Sequence, residues 1–471
     1  MEKDLTKGPV TLNILLFALP LMFGNLLQQF YNIADTYIVG KYLGSNALAA
    51  VGSSYTLMTF LTSILIGLCM GASAVISIQY GTRNTAKMRQ SIFMSFVFIA
   101  VLSLILTAVV YLFIDKILLL LQVPVEIYDM MKTYLVFIFA GIPAVFLYNY
   151  YANLLRAVGN SVLPLIFLGI SCILNIFLDL YCVIYLKWGV AGAAIATSFS
   201  QYISGIGIML YTLIQENNLI PDKKEMKWDK NNLSTILNLS LMTSIQQSVM
   251  NLGILMVQGL VNSFGTQVMA AFAAAVKIDS FAYMPVQDFG NAFSTYVAQN
   301  HGANRQDRIK KGIRSAITTS VIFSCVISLL VYVYAKPLLE IFINPSEVGI
   351  IKIGISYLHI EGSFYFGIGI LFLLYGYYRA INKPSMSLIL TIASLGTRVV
   401  LAYILSSTTL GTNGIWMSVP IGWFLADTIG IVYYFYQVKR HSNLIRNYQY
   451  SHHVKNPLTQ VFYKRDNLHV I

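Results

Sequence analysis

Twelve long apolar runs restrict the fold of this chain more than any other feature. Each is about 20 residues or longer, the length of helix that crosses the hydrocarbon core of a bilayer. The runs cover residues 12–40, 47–78, 91–114, 131–155, 163–187, 190–213, 236–262, 267–299, 315–335, 351–378, 384–406 and 413–437. With 57% hydrophobic and only 11% charged residues, 471 residues supply too little polar surface for a water-soluble fold. We therefore predict an all-α, multi-pass membrane protein.

The longest loop divides the chain into two parts. It spans residues 214–235, between the sixth and seventh runs, and is polar, charged and interrupted by Pro221. On this basis residues 1–213 form an N-terminal lobe of helices 1–6 and residues 236–437 a C-terminal lobe of helices 7–12. Residues 438–471 form a polar tail.

The two predicted lobes also resemble each other in sequence. Matching positions recur at shifts of 221 to 223 residues: 42–52 with 263–273, Gly81 with Gly302, Arg156 with Arg379, and Gly189 with Gly411. Several matches at nearly one offset indicate a tandem duplication of six spans. Six is an even number, so both halves enter the membrane in the same direction. We expect a pseudo-two-fold axis along the membrane normal, with a site where the lobes meet, as in transporters that work by alternating access.

The distribution of basic residues predicts the orientation. Of the 31 Lys and Arg residues, 23 fall on the side of the N-terminus, among them Arg156 and Arg379, and six fall on the opposite side. Loops rich in Lys and Arg are typical of the cytoplasmic face. Both termini are therefore expected in the cytoplasm, with an uncleaved first span in the inner (plasma) membrane. The net charge of +12 is explained by these loops, so the partner is the lipid bilayer and no nucleic acid is expected.

Carboxylates inside the spans are the first candidates for function, because burying an ionisable group in hydrocarbon costs several kcal/mol, roughly 2.5–3.5 by insertion scales. Asp35 ends a polar stripe on one side of the first span, where amide side chains recur every three or four residues. The other intramembrane acids are Asp179, Asp279, Asp288, Glu361 and Asp427.

Asp35 and three side chains of the fifth and sixth spans provide the ligand types of a cation site. Asn175 and Asp179 are four residues apart and share one helix face, and Thr197 lies on a polar edge of the next span. Their oxygens suit Na⁺, and two carboxylates in one buried site can instead hold one exchangeable proton. The repeat-related positions in the second half carry none of these groups: Met256, Arg398, Ala402 and Val419.

Five further polar residues are predicted to line a substrate cavity: Gln28, Asn32, Gln247, Asn251 and Asp288. Asp279 lies near the start of its span, where water can solvate a charged side chain, so its presence there requires no functional role. Glu361 can pair with His359 or Arg398 as structural polar packing. No cofactor and no structural metal is expected, because the cysteines and histidines show no ligand spacing.

Several motifs resemble the multidrug and toxic compound extrusion family, which belongs to a flippase superfamily. The motifs are DTYIVGKYLG with ALAAVG after Pro20, QYGTRN with its repeat QNHGANR, LLRAVGN, NIFLD and GVAGAAIAT. The resemblance extends over both halves to about residue 437. It implies twelve helices in two lobes and an antiporter that expels organic cations in exchange for Na⁺ or H⁺.

The resemblance also implies residue roles. Many prokaryotic members use an aspartate of helix one, an Asn and an Asp of helix five and a Thr of helix six as a first-lobe cation site. These match Asp35, Asn175, Asp179 and Thr197, while Pro20 matches a proline linked to helix bending. Other members carry acids in helices seven and ten. Helix seven has no acid here and helix ten has only Glu361, so no second-lobe cation site is expected.

We therefore expect a monomeric antiporter that exports amphipathic, often cationic drugs and toxic compounds. The alternative is a lipid or lipid-linked oligosaccharide flippase, which needs a basic cavity for pyrophosphate. Only Lys277 and Arg398 lie within spans as candidates for it. A membrane enzyme would need a His/Asp or Ser/His cluster within the spans, and His359 is the one histidine in a span. A receptor leaves the duplication unexplained.

Overall fold

The computed structural model describes residues 3–121 and 123–452, and sixteen α-helices lie within those ranges. They are α1 (Val10–Leu43), α2 (Ser45–Gly81), α3 (Thr85–Leu112), α4 (Ile114–Leu120), α5 (Val125–Phe139), α6 (Ile142–Ala157), α7 (Val162–Asp179), α8 (Gly189–Gln215), α9 (Lys230–Asn262), α10 (Thr266–Gly302), α11 (Gln306–Val333), α12 (Ala335–Glu340), α13 (Val348–Gly362), α14 (Tyr365–Ala380), α15 (Pro384–Ser406) and α16 (Thr412–His452).

These helices supply the twelve predicted spans. In the described part of the chain, nine single helices are long and apolar enough to cross a bilayer, and two bent pairs, α5–α6 and α13–α14, each add one. The twelfth is α9, which has 33 residues but is made more polar by Gln246, Gln247, Asn251 and Gln258. The all-α, two-lobed fold predicted from the sequence is confirmed.

The duplication is visible in the backbone as well as in the sequence. Gly44 and Gly265, which precede α2 and α10, have φ angles of 86° and 93°. Arg83 and Asn304, just after the same two helices, have φ angles of 58° and 55°. Non-glycine residues seldom adopt a left-handed backbone, so its recurrence at the same 221-residue shift indicates one ancestral chain path used twice.

Two details of the spans differ from the sequence prediction. The runs 131–155 and 351–378 are bent helix pairs, with angles of 43° and 50° between their parts. α16 continues through residue 437 to His452, so the first part of the predicted tail prolongs the last span. The remainder of the tail, residues 453–471, lies outside the described residues.

Small residues allow the two lobes to pack closely along α2 and α9. An added Cβ at Gly67 would run into the backbone of Thr243 and Ser244, and one at Gly71 into that of Leu239 and Ser240. Such small-residue contacts are the usual means of close helix packing in membranes. Farther along α2, Gly81 meets Gln299 of α10, while repeat-related Gly302 meets Ile78. The lobes therefore cross at a symmetric glycine pair on the side of the N-terminus.

The segment before α1 joins both lobes on that same side. The Lys3 amide donates to the Gly159 carbonyl of the first lobe at 3.3 Å. The Leu5 amide donates to Gln299 Oε1 at 3.1 Å, and Arg308 Nη1 donates to the Gly8 carbonyl at 2.9 Å. Leu5 is fully buried. The N-terminal segment thus helps to hold the lobes together below the space between them.

Candidate functional site

Asp35 of α1 and Asp179 of α7 come together inside the first lobe. Their carboxyl groups are close enough to interact with each other directly. Asp35 is 8% exposed and Asp179 is fully buried. One Asp35 oxygen and both Asp179 oxygens have no hydrogen-bond donor among the described residues. Buried oxygens without donors are rare, because each costs free energy unless a proton, water or cation satisfies it.

Two further predicted residues complete this group. Asn175 Nδ2 donates to Thr197 Oγ1 at 3.2 Å, and the Tyr31 hydroxyl lies 3.3 Å from the same oxygen. The amide therefore uses its nitrogen on Thr197, and Asn175 Oδ1 has no donor within the described part of the structure. Carboxylate, amide and hydroxyl oxygens are ligands that a hard cation prefers. The group can hold a small cation or a shared proton.

Local helix geometry positions Asp179 at the end of this group. α7 ends at Asp179, and residues Leu180–Tyr185 continue as a π-helix. Single π-turns of this kind are uncommon and often occur at functional sites. Among aromatic neighbours, Tyr134 of α5 is buried and lies near both aspartates. Tyr31 and Tyr134 were not predicted as site residues, although Tyr31 sits one helical turn before Asp35 on the polar side of α1.

A cavity of about 260 Å³ lies between the lobes. α1, α2, α6 and α7 of the first lobe and α9, α10 and α14 of the second provide its walls. Three of the five predicted lining residues, Gln28, Gln247 and Asp288, are there. Asn32 and Asn251 are not among its lining residues; Asn251 Nδ2 instead donates to the Gln247 carbonyl of its own helix at 3.3 Å. Asp288 accepts from Asn25 Nδ2 at 2.6 Å across the lobes.

The basic residues of this cavity differ from the sequence prediction. Arg156 and Arg379, assigned above to loops, are the penultimate residues of α6 and α14 and line the cavity. Lys277 is exposed beside the Phe342 ring, and neither it nor Arg398 is among the lining residues. Sequence periodicity does not define helix ends to within a few residues, and that difference places these two arginines at the cavity and not in loops.

Acids of the second lobe form a separate buried cluster. The sequence offered Arg398 as a partner of Glu361 but did not predict that Asp279 joins them. Asp279 is only 5% exposed, so contact with water does not explain it, and Glu361 is 2% exposed. The two acids are close enough to repel each other, and Arg398 attracts both. The Tyr357 hydroxyl lies near Glu361. His359 is not a partner, because its ring stacks on Tyr332 at 3.9 Å.

Pro20, matched above to a helix-bending proline, lies inside the continuous helix α1. A proline in a helix leaves the carbonyl four residues earlier without its usual donor. It lies within the stretch of α1 that lines the cavity, between Phe17 and Leu21, so a change of bend there would move Gln28 and Asp35 together.

The MatE family pattern matches residues 20–181 and 240–404, one match in each lobe. Probable multidrug resistance protein YpnP of Bacillus subtilis is 29% identical over 438 residues, covering 92% of this chain and 96% of that protein. Probable multidrug resistance protein NorM of Thermotoga maritima is 28% identical and covers 88% and 90%. The FAD transporter of Shewanella oneidensis is 22% identical and covers 88% and 92%.

Solved structures agree on the fold. The crystal structure of a MATE in complex with MaL6 has a TM-score of 0.88 with this chain, covers 93% of it and 99% of its own length, and is 23% identical. Because the family pattern matches more than half of the sequence, the chain belongs to the MatE family. It is thus a multi-pass membrane transport protein of a multidrug efflux family.

Proposed function

We propose that this protein is a secondary antiporter that exports amphipathic drugs and toxic compounds in exchange for Na⁺ or H⁺. The observation that carries the proposal is the group Asp35, Asn175, Asp179 and Thr197. Four of its buried oxygens lack donors among the described residues: one each of Asp35 and Asn175 and both of Asp179. Its helix α1 also lines the cavity through Gln28. The drug-resistance names of the relatives support drug export over oligosaccharide flipping.

α1 offers a physical link between ion and cargo. Gln28 and Asp35 are seven residues apart, which is about 10 Å along a helix. A cation at Asp35 and Asp179 removes the repulsion between two buried carboxylates and thereby favours the arrangement of α1 in which they are closest. Ion and cargo are coupled when each prefers a different arrangement of the lobes.

The proposed orientation in the membrane follows from the distribution of charge. The side that carries the termini faces the cytoplasm of the inner (plasma) membrane, as the excess of Lys and Arg there indicates. The protein acts as a monomer, because the cavity is built from the two lobes of one chain.

Organic cations among the cargo would pair with Asp288. The names of the relatives include both multidrug proteins and a flavin transporter, so the family alone does not define the cargo.

Inverted membrane vesicles containing the protein provide the test. Dye uptake into the vesicles is measured with an outwardly directed gradient of sodium or of protons, each imposed alone. We expect one gradient to drive uptake and the Asp35→Asn and Asp179→Asn variants to lose that response. Uptake that proceeds equally without either gradient, or in normally expressed variants, would contradict the proposal.

A further inference from the structure

The cavity between the lobes contains two arginines related by the repeat. Arg156 and Arg379 are 223 residues apart and occupy the same place near the ends of α6 and α14. Each lobe therefore supplies one guanidinium to the same cavity. Many other polar positions differ between the lobes, so a basic residue at both equivalent positions points to a need for positive charge here.

Neither positive charge is neutralised by an ion pair. In the described residues, no carboxylate oxygen lies within 4.0 Å of either guanidinium. Arg379, 6% exposed, donates to the neutral oxygens of Ser294 at 3.3 Å and Asn291 at 3.0 Å. The Arg156 Nε atom is buried with no acceptor in the same part of the chain. A buried guanidinium without a counter-charge is costly, and an anionic ligand would remove that cost.

The only acid that lines the cavity in the described residues is Asp288. It already accepts a hydrogen bond from Asn25 and lies near Arg156. Two guanidinium groups and one carboxylate leave the cavity with one excess positive charge. Guanidinium groups are suited to bind carboxylate, sulfonate or phosphate through paired hydrogen bonds.

The remaining walls suit an organic molecule. Phe17 and Leu21 of α1 and Met70 of α2 provide an apolar side, and amides such as Gln287 and Asn291 provide polar contacts. Polar side chains outnumber apolar ones in this lining, so the cavity offers both apolar contact and several polar groups to an organic molecule.

We propose that the interlobe cavity selects amphipathic cargo with an anionic group, which is held between Arg156 and Arg379. This rests on the proposed export function and specifies its substrate class. A cargo that also carries a positive charge can place it at Asp288, so zwitterions fit this cavity better than cations without an anionic group.

Two dyes that differ by a single methyl group test the proposal. Rhodamine 110 has a cationic ring system and a free carboxylate, and rhodamine 123 is its methyl ester. Fluorescence anisotropy measures their binding to the purified full chain in phosphatidylcholine nanodiscs. We expect rhodamine 110 to bind at least about 10-fold more tightly, since hydrogen bonds to charged groups contribute this much.

Variants separate charge recognition from a structural role of the arginines. Arg156→Gln and Arg379→Gln should each remove most of the preference for rhodamine 110, while Arg156→Lys and Arg379→Lys retain part of it. Asp288→Asn should weaken both dyes alike. Arg156 is less buried than Arg379, so the Arg156 variants are less prone to misfold and provide a second test if the Arg379 variants do not fold.

Equal binding of the two dyes by the wild type, absence of binding by both, or an equal loss of both in the glutamine variants would overturn the proposal. Adding phosphatidylglycerol distinguishes the source of the anion: competition with rhodamine 110 indicates an anionic lipid, and no competition indicates a free solute. Gradient-driven export of rhodamine 123 is followed in parallel. If it persists without any preference for rhodamine 110, the export function stands and this inference fails.

Discussion

Each lobe buries a pair of carboxylates, but the charges around the two pairs differ. In the first lobe, Asp35 and Asp179 meet with no basic residue acting on them in the described structure, and three of their four oxygens lack donors there. In the second lobe, Arg398 lies near enough to Asp279 and Glu361 to attract both, although among the described residues it forms no ion pair with either and one oxygen of each acid also lacks a donor. Arg398 stands at the position that the repeat equates with Asn175. One substitution of amide by guanidinium thus gives the second pair of acids a nearby positive charge that the first pair lacks.

The difference shows why duplicated transporters need not bind two coupling ions. A buried acid pair with a permanent counter-charge has no reason to exchange ions and can serve as a rigid element. A buried acid pair without one must take up a proton or a cation each time it is closed to water. The predictions below test this contrast, from the largest expected effect to the smallest.

Neutralising the first-lobe acids should have the largest effect. Asp35→Asn and Asp179→Asn remove the charges that attract a cation, so we expect the initial rate of gradient-driven dye export to fall at least about 10-fold. The matched control is Glu361→Gln, which should retain the response to the gradient because Glu361 lies outside the proposed cation site. Loss of the response in the control, with normal expression, would contradict the contrast between the lobes.

Removing the positive charge of Arg398 should destabilise the second lobe. Arg398→Gln leaves two buried acids without a counter-charge, at a cost of about 3 kcal/mol. Thermal unfolding of the purified protein, followed by intrinsic fluorescence, should show a lower midpoint. The double variant Arg398→Gln with Glu361→Gln should recover part of the loss, since a single remaining acid can be protonated. If Arg398→Gln unfolds at the wild-type midpoint, Arg398 does not stabilise the buried Asp279 and Glu361.

The seam between α2 and α9 should be sensitive to a single methyl group. Gly71→Ala places a Cβ against the Leu239 backbone, and such overpacking costs about 2 kcal/mol. Its repeat-equivalent is Ala292, which is already fully buried in α10. Replacing Ala292 with glycine should therefore cost less, about 1 kcal/mol. Equal midpoints for Gly71→Ala and wild type in the thermal assay would mean that the lobes are not held closely at this seam.

The smallest expected effect concerns Thr197. Thr197→Ala removes one neutral oxygen of the proposed cation site, so we expect the ion concentration for half-maximal export to rise about 5-fold, with the maximal rate retained. Val419 occupies the equivalent position in the second lobe. The control Val419→Thr should leave the half-maximal concentration unchanged. A loss of maximal rate in Thr197→Ala would indicate a structural role instead.

The sequence by itself determined the architecture of this protein. The length and number of apolar runs gave the spans, and matches at a nearly constant shift gave the two lobes, because both signals repeat over many residues. It also selected Asp35, Asn175, Asp179 and Thr197, since acids and amides in an apolar helix are costly and stand out.

Only the tertiary structure decided which polar residues meet. Helix periodicity gives the face on which a side chain lies, but not the neighbouring helix that this face contacts. Asn251 therefore turns away from the cavity, while Arg156 and Arg379 enter it from helix ends that were predicted as loops. The burial of Asp279 beside Glu361 depends in the same way on the packing of α10 against α13, two helices that are separated in the sequence by α11 and α12.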